Sequence, residues 1–516
     1  MQQDWKTATI ENSKLVKEDQ IKDFESNINS TVKLDENDID PITLDKLKDL
    51  LPNEIMDIKI NYKENIIRKF YKIRSLYQWI QINPIDPETR IPFSQENIAD
   101  IQEAYNRLPP PPLLLRNNNK IELGEFQNNN LTSLSSLLSM DSIINIDEYA
   151  FENNELTSLP PMDSVITIGY KAFAKNRLTS LSSIVSVTTI GAAAFKNNQL
   201  SSLPPMNSLT TISNYAFKNN QLESLPQMDS LTTIGENAFG GNQITTLPLI
   251  MDSVISIGDS AFQYNKLASL PSMNSLITIG KEAFASNKLR SLSSMNSLQT
   301  ISNRAFAFNK LTSLPSMNSL ITIGESAFSG NKLTSMPQME ALRTIGDYAF
   351  DHSEFVSLFP MNSLITIGRG AFSNNELISL PPLNSLISIG VLAFSGNKLT
   401  VLISLESIVT ISDSAFAHNK LTSLPQMNFL ISIGNCAFKC NKLTSLPQMN
   451  SLETIGAYAF ANNQLTTLNI PDSVTNIGDY AFYENPLLES VTIPRRFEGR
   501  IKDIFNNNNN DIFNYI

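Results

Sequence analysis

Two cysteines and two histidines in 516 residues leave little room for metal or thiol chemistry. A structural zinc site takes about four Cys or His ligands held close together. Cys436, Cys440, His352 and His418 do not supply such a set, and the cysteines read as free thiols at variable positions of a repeat. Charge is scarce too. Asp, Glu, Lys and Arg make up 17% of the chain, and the net charge of -11 gives no support to binding of nucleic acid or an acidic membrane. No apolar run reaches the length of a transmembrane helix. The start, "MQQDWKTATIENSKLVKEDQ", lacks the apolar core of a secretory signal. These absences lead to the expectation of a soluble, intracellular, most simply cytoplasmic protein with no metal and no cofactor.

What is present is repetition. Sixteen Phe residues, from Phe151 to Phe482, follow one another every 22 residues, with a single step of 23 between Phe239 and Phe262. A composite of the units reads "AFSGNKLTSLPSMNSLITIGES", close to residues 305–326. Counting from the Phe, apolar residues stand at +5, +8, +11, +14 and +17. No single unit can bury that face, but a stack of units can, so one continuous core is expected along a solenoid. Asn stands at +3 in fifteen of the sixteen units, with Ser353 as the exception. Such uniformity predicts a buried Asn ladder whose amides satisfy turn backbone groups. "TSLP" reads as a very short strand, so the inner face is expected to carry the Ser or Thr at +7 and the frequent Pro at +9. The unit "DHSEFVSLFP" (351–360) is irregular and brings His352, Phe355 and Phe359; drift in a redundant repeat outweighs a binding patch there.

These units resemble leucine-rich repeats of the BspA-like type, most clearly in "LTTLNIPDSVTNIGDYAFYENPLLESVTIP" (465–494). The resemblance implies a curved ladder with a sheet on its inner face, over residues 120–494. A degenerate first unit (120–146) and "RRFEGRIKDIF" (495–505) are the expected caps. The low-complexity tail that follows completes a segment 495–516 and is expected to be mobile.

Residues 1–38 are polar and acidic and expected to be poorly ordered. Residues 40–108 lack the 22-residue rhythm, and "PPPP" at 109–112 opens a linker to about 119. Within 40–108 the pattern predicts a loop start at "DPITLDKL", a hairpin from "IMDIKI" and "IIRKFY", and a helix at "SLYQWIQ". A proline-fixed loop, "NPIDPETRIPFS" (83–94), then leads to a helix capped by Ser94.

This order, with Asp40–Thr43, the spacing of Tyr71, Leu76 and Trp79, and Asp86, Pro87, Thr89, Arg90 and Pro92, resembles a U-box, the metal-free relative of the RING domain. The resemblance implies a docking groove for a ubiquitin-conjugating enzyme formed by Ile42, Leu44, Trp79, Pro87 and Pro92. It also implies that Arg90 bridges that enzyme and its ubiquitin, a purely positional catalytic role. The usual Asp-Pro and Gly after the first loop are missing. The expected fold class is therefore α+β: a small U-box-like domain followed by a long leucine-rich-repeat solenoid. The expected function is that of a ubiquitin-ligase-like protein whose array holds a protein target. A non-catalytic scaffold or a surface adhesion protein is the alternative.

Overall fold

The computed structural model describes residues 55–62, 65–73, 76, 77, 80, 86, 92–107, 119–134, 140–506 and 510–516. The chain divides into two compact units, Met1–Pro112 and Leu113–Ile516.

In the first unit, strands Ile55–Tyr62 and Asn65–Lys72 pair as an antiparallel hairpin, from Ile55 opposite Lys72 to Tyr62 opposite Asn65. Helix Gln95–Arg107 follows. Its start is closed reciprocally: the Asn97 N–H donates to Ser94 Oγ (3.0 Å), and the Ser94 N–H donates to Asn97 Oδ1 (3.3 Å). Ile58, Leu76, Ile80, Phe93 and Ile101 form its small core. Tyr77 stacks on Tyr105, with ring centroids 3.9 Å apart.

The second unit is a solenoid. Its regular ladder is built from two-residue parallel strands of Thr-Ile type, +16 and +17 after the Phe in the 22-residue units and one further on in the 23-residue unit. It begins with Lys120–Ile121 paired to Asn145–Ile146 and ends with Thr454–Ile455 paired to Asn476–Ile477. Each inner strand pairs with the coil before and the coil after in unbroken register, as Thr278 does with Ser256 and Thr300. A buried Ile after a half-exposed or exposed polar residue, mostly Thr or Ser, gives the coils the same alternation. A glycine commonly follows because the preceding coil lies against it. A Cβ on Gly280 would stand 2.5 Å from the Gly258 carbonyl carbon.

This corrects the strand placement drawn from sequence. The "TSLP" segments make only isolated bridges, such as Ser224 with Thr246 and Ser335 with Ser357. Proline has no N–H to give a ladder, and ten of the sixteen units carry Pro at +9. The two units that lack it in succession, with Asn469 and Val491 there, are where this segment becomes a true sheet. Thr467–Asn469 pairs with Ser490–Thr492, and Val491–Ile493 pairs with Phe513–Tyr515.

The α+β expectation also gives way. The chain is a long β-solenoid of about 18 turns with few helices. Each coil is turned by residues in the left-handed region two positions before and two after the Phe, such as Arg304 (φ 57°) and Phe308 (φ 57°) around Phe306. A helix cannot run through such positions.

The core is a column of Phe rings, each parallel to the next at 5.1–5.5 Å from Phe151 to Phe482. Phe126 extends it at one end and Phe505 at the other, with Phe513 packed edge-on against Phe505. The tail thus belongs to the cap: Phe513 is buried and its strand is paired, against the expectation of mobility. Arg496 and Arg500 pin the cap to Asp472 and Asp479 of the preceding coil.

The Asn ladder is present as expected. Asn287 is typical: its Nδ2 donates to the carbonyls of Phe262 (2.9 Å) and Phe284 (3.1 Å), and its Oδ1 accepts from the Leu267 N–H (3.0 Å). One side chain therefore makes two bonds to the preceding coil and one within its own. At Ser353 the ladder breaks. The Ser353 hydroxyl is buried and makes no hydrogen bond.

Candidate functional site

After each Phe the chain alternates in exposure. Residues +3 and +5 are the buried Asn and Leu, while +2, +4 and +6 face outward together. Because coils stack in register, each outward position becomes a column along the array. The buried columns are nearly constant, as is the outward Ser or Thr at +7, whereas the outward +2 and +4 columns vary.

The +4 column changes charge in blocks. It reads Gln199, Gln221 and Gln243, then Lys266, Lys288, Lys310 and Lys332, then Glu354 and Glu376, then Lys398, Lys420 and Lys442. Lys398 pairs with Glu376. The four consecutive lysines from 266 to 332 are exposed. Beside them, Arg290 stands at +6 and Tyr264 and Phe308 at +2. Tyr264 and Phe308 are 65% and 64% exposed, and both hold positive φ (56° and 57°).

Where the +4 column turns acidic, the neighbouring outward positions turn apolar. Val356, Phe359, Ile378, Val401 and Ile403 are exposed at places where other coils carry Thr, Ser or Pro. This is the irregular region noted from sequence. Phe355, by contrast, is fully buried, edge-on to Phe350 (5.4 Å) and Phe372 (6.2 Å). The 23-residue unit extrudes its extra length as Leu249 (89% exposed) and Ile250. Asp252 fastens that unit by accepting from the Asn274 N–H (2.8 Å) and the Ser272 hydroxyl (2.9 Å).

Near the amino-terminal end, Glu152 is buried beside Lys175 (3.4 Å) and Lys171 (3.8 Å) and accepts from Gln127 Nε2 (2.8 Å). Desolvation pulls the Lys171 pKa down, but the Tyr170 hydroxyl and Glu152 outweigh it and hold the ammonium above its ordinary value. The group is a charged tie between coils. Burial pushes the Cys436 thiol up, with Lys439 acting in the opposite sense. The neutral thiol is a poor nucleophile and a poor metal ligand. Among the described residues, no group of three or more His, Cys, Asp and Glu could hold a metal ion. No described helix is long and apolar enough to cross a membrane.

Of the site residues proposed from sequence, Pro92 is exposed. Ile42, Leu44, Trp79, Pro87 and Arg90 lie outside the described residues. The lysine column was missed at that stage. Its signal was in the sequence, a Lys directly after the ladder Asn in four successive units, but only the alternation of burial shows that these side chains share a face.

The sequence matches the BspA type leucine rich repeat region over residues 119–246, 243–357 and 365–489. No curated protein matches it. Among solved structures, a leucine-rich repeat protein from Bacteroides ovatus is 24% identical, with 68% of this chain and 88% of that chain covered and a TM-score of 0.47. YopM, a leucine-rich effector protein from Yersinia pestis, is 22% identical, with coverages of 70% and 88% and a TM-score of 0.34. The pneumococcal vaccine antigen PcpA is 22% identical, with coverages of 56% and 75% and a TM-score of 0.29. With the family's repeat matched over more than half of its length, the chain belongs to the BspA-type leucine-rich repeat family.

Proposed function

We propose that the chain is a non-catalytic protein-binding repeat array, as a scaffold or an adhesion protein, whose outward columns hold a partner. The observation that carries this is the contrast between columns. Ala, Phe, Asn, Leu and Ile recur in the buried positions, while the outward +4 position runs through Gln, Lys, Glu and Lys in blocks. Stacking accounts for the constant set; sorted surface chemistry is what recognition requires. The test is selection of a random dodecapeptide display library on the full-length chain. Saturable peptides competed off by untagged chain support the reading. Absence of any enriched sequence refutes it.

A second reading is favoured by one observation. The first unit has a hairpin, helical residues and a capped helix in that order, and the sequence between the last two carries "DPETRIP". In this reading it recruits a ubiquitin-conjugating enzyme while the array holds the target. Pro87→Ala then weakens binding of the conjugating enzyme. Arg90→Ala leaves binding of the uncharged enzyme unchanged and slows ubiquitin discharge, the split expected of a contact made only in the reactive arrangement. Equal discharge by wild type and Arg90→Ala removes Arg90 from the role. Loss of Trp79 fluorescence signal on chelator treatment would sink the U-box reading, since that domain holds no zinc.

A further inference from the structure

We infer that the coils from Phe262 to Phe328 present a docking strip for a short acidic peptide segment of the partner. This rests on the protein-binding reading above and names the chemistry of its ligand.

The strip consists of Lys266, Lys288, Lys310, Lys332 and Arg290. Among the described residues the four lysines have no ion-pair partner. Successive coils lie about 4.8 Å apart, well inside the Debye length of about 8 Å at physiological salt. The lysines therefore repel one another in the free protein, and stacking does not require them: the same position holds Gln in three earlier coils. An anionic ligand relieves that repulsion along the whole column.

Tyr264 and Phe308 give a second, independent observation. Aromatic side chains at positive φ are disfavoured, and nine of the other fourteen coils place Asn, Gly or Ser at this position, with none of the fourteen carrying an aromatic carbocycle. Neither ring buries itself in return. Phe308 lies against Gly330 of the next coil, where a Cβ would meet its ring at 2.9 Å. The turn imposes positive φ at +2 in every coil; what sets these two coils apart is a large ring left exposed beside the lysines, the kind of surface a partner covers.

The length of the strip selects the class of anion. Lys266 to Lys332 is three coil steps, about 15 Å, which an extended peptide covers with roughly five residues. The strip is bounded by Gln243, Gln221 and Glu223 on one side and by Glu354 and Glu376 on the other. A long polyanion such as a nucleic acid would run onto those carboxylates. A short Asp/Glu segment with an apolar or aromatic residue meets the lysines and the two rings and stops there.

The display selection reads this directly when repeated on the full chain carrying Lys288→Glu and Lys310→Glu. The expected outcome is enrichment of peptides with clustered Asp or Glu and an aromatic residue. Their affinity should fall about tenfold or more in the charge-reversed chain, from two lost ion pairs and two new repulsions. They should weaken with salt and bind Lys420→Glu/Lys442→Glu like wild type. Enrichment of peptides without acidic clusters, or of acidic ones indifferent to Lys288 and Lys310, overturns the strip and leaves the protein-binding reading standing. Tighter binding of a single-stranded oligonucleotide or of heparin at the same residues overturns the choice of a peptide. No enrichment at all overturns both.

Discussion

Repairing the broken rung of the Asn ladder should stabilise the array only if the neighbouring Phe is changed with it. In coil 350, Ser353 replaces Asn and Phe355 replaces the usual Leu. The loss is visible in the bonding. Leu311 donates its N–H to Asn331 Oδ1 (3.0 Å), and Phe355 donates its own to Asn375 (3.1 Å). The Leu333 N–H between them has no such acceptor. Phe306 O takes amide bonds from both Asn309 and Asn331, whereas Phe328 O and Phe350 O take one each. Ser353→Asn would supply three bonds at about 1 kcal/mol net each. Phe355 is buried edge-on against Phe350 and Phe372, so a carboxamide at 353 has to share this part of the core with a ring larger than the usual Leu. Ser353→Asn alone therefore gains little, because overpacking costs about 1–3 kcal/mol. Phe355→Leu alone opens a cavity costing about 1 kcal/mol. The double variant should be about 2–3 kcal/mol more stable than wild type, with a coupling energy of roughly 1–3 kcal/mol between the sites. A solenoid need not unfold in one step, so the assay is hydrogen exchange at the Leu333 amide, backed by urea denaturation. Wild-type Leu333 should exchange faster than Leu311, and the double variant should equalise them. Full stabilisation by Ser353→Asn alone, or none in the double variant, refutes the reasoning.

Phe328→Ala should cost about 3–5 kcal/mol, because its ring is fully buried between Phe306 and Phe350 at 5.4 and 5.3 Å. Exchange should rise in the adjacent coils before distant ones. Cys436 should alkylate more slowly than a free peptide thiol at mildly alkaline pH, since burial raises its pKa and lowers the thiolate fraction; peptide mass spectrometry of the modified chain reads this. Hydrogen bonds from the Asn274 N–H and the Ser272 hydroxyl hold the Asp252 carboxyl below its ordinary range. Its contribution is therefore present above the ordinary pKa of about 4 and lost as pH falls through the lower folded value. Asn274 amide protection should show that acid step in wild type and lack it in Asp252→Ala.

Buried positions were the readable part of this sequence. The Phe beat gave the core column, the uniform Asn gave the ladder, and the apolar residues of 495–505 gave the closing cap, because each has one environment repeated many times. Strand placement was less legible. "TSLP" alternates convincingly over four residues, while Thr-Ile is only two residues long, and the pattern does not weigh the donors that proline deletes. Phe513 was hidden inside an Asn-rich tail whose composition outweighed one buried ring. The basic strip required knowing that +2, +4 and +6 point the same way, which follows from the turn at +2 rather than from the letters. In the first unit, the hairpin and the capped helix followed from apolar alternation and from Ser94.

The three-bond Asn joint has a consequence for inheritance. Apart from the break at Ser353 the joints are of one kind, so a coil deleted or duplicated by misaligned recombination leaves two neighbours that still fit. The number of coils is free to drift between generations without any redesign of the interior. The extruded Leu249 and Ile250 show that a single-residue slip is also absorbed, at the surface of one coil, without shifting the register of the next. Such a gene can lengthen first and diversify its outer columns afterwards.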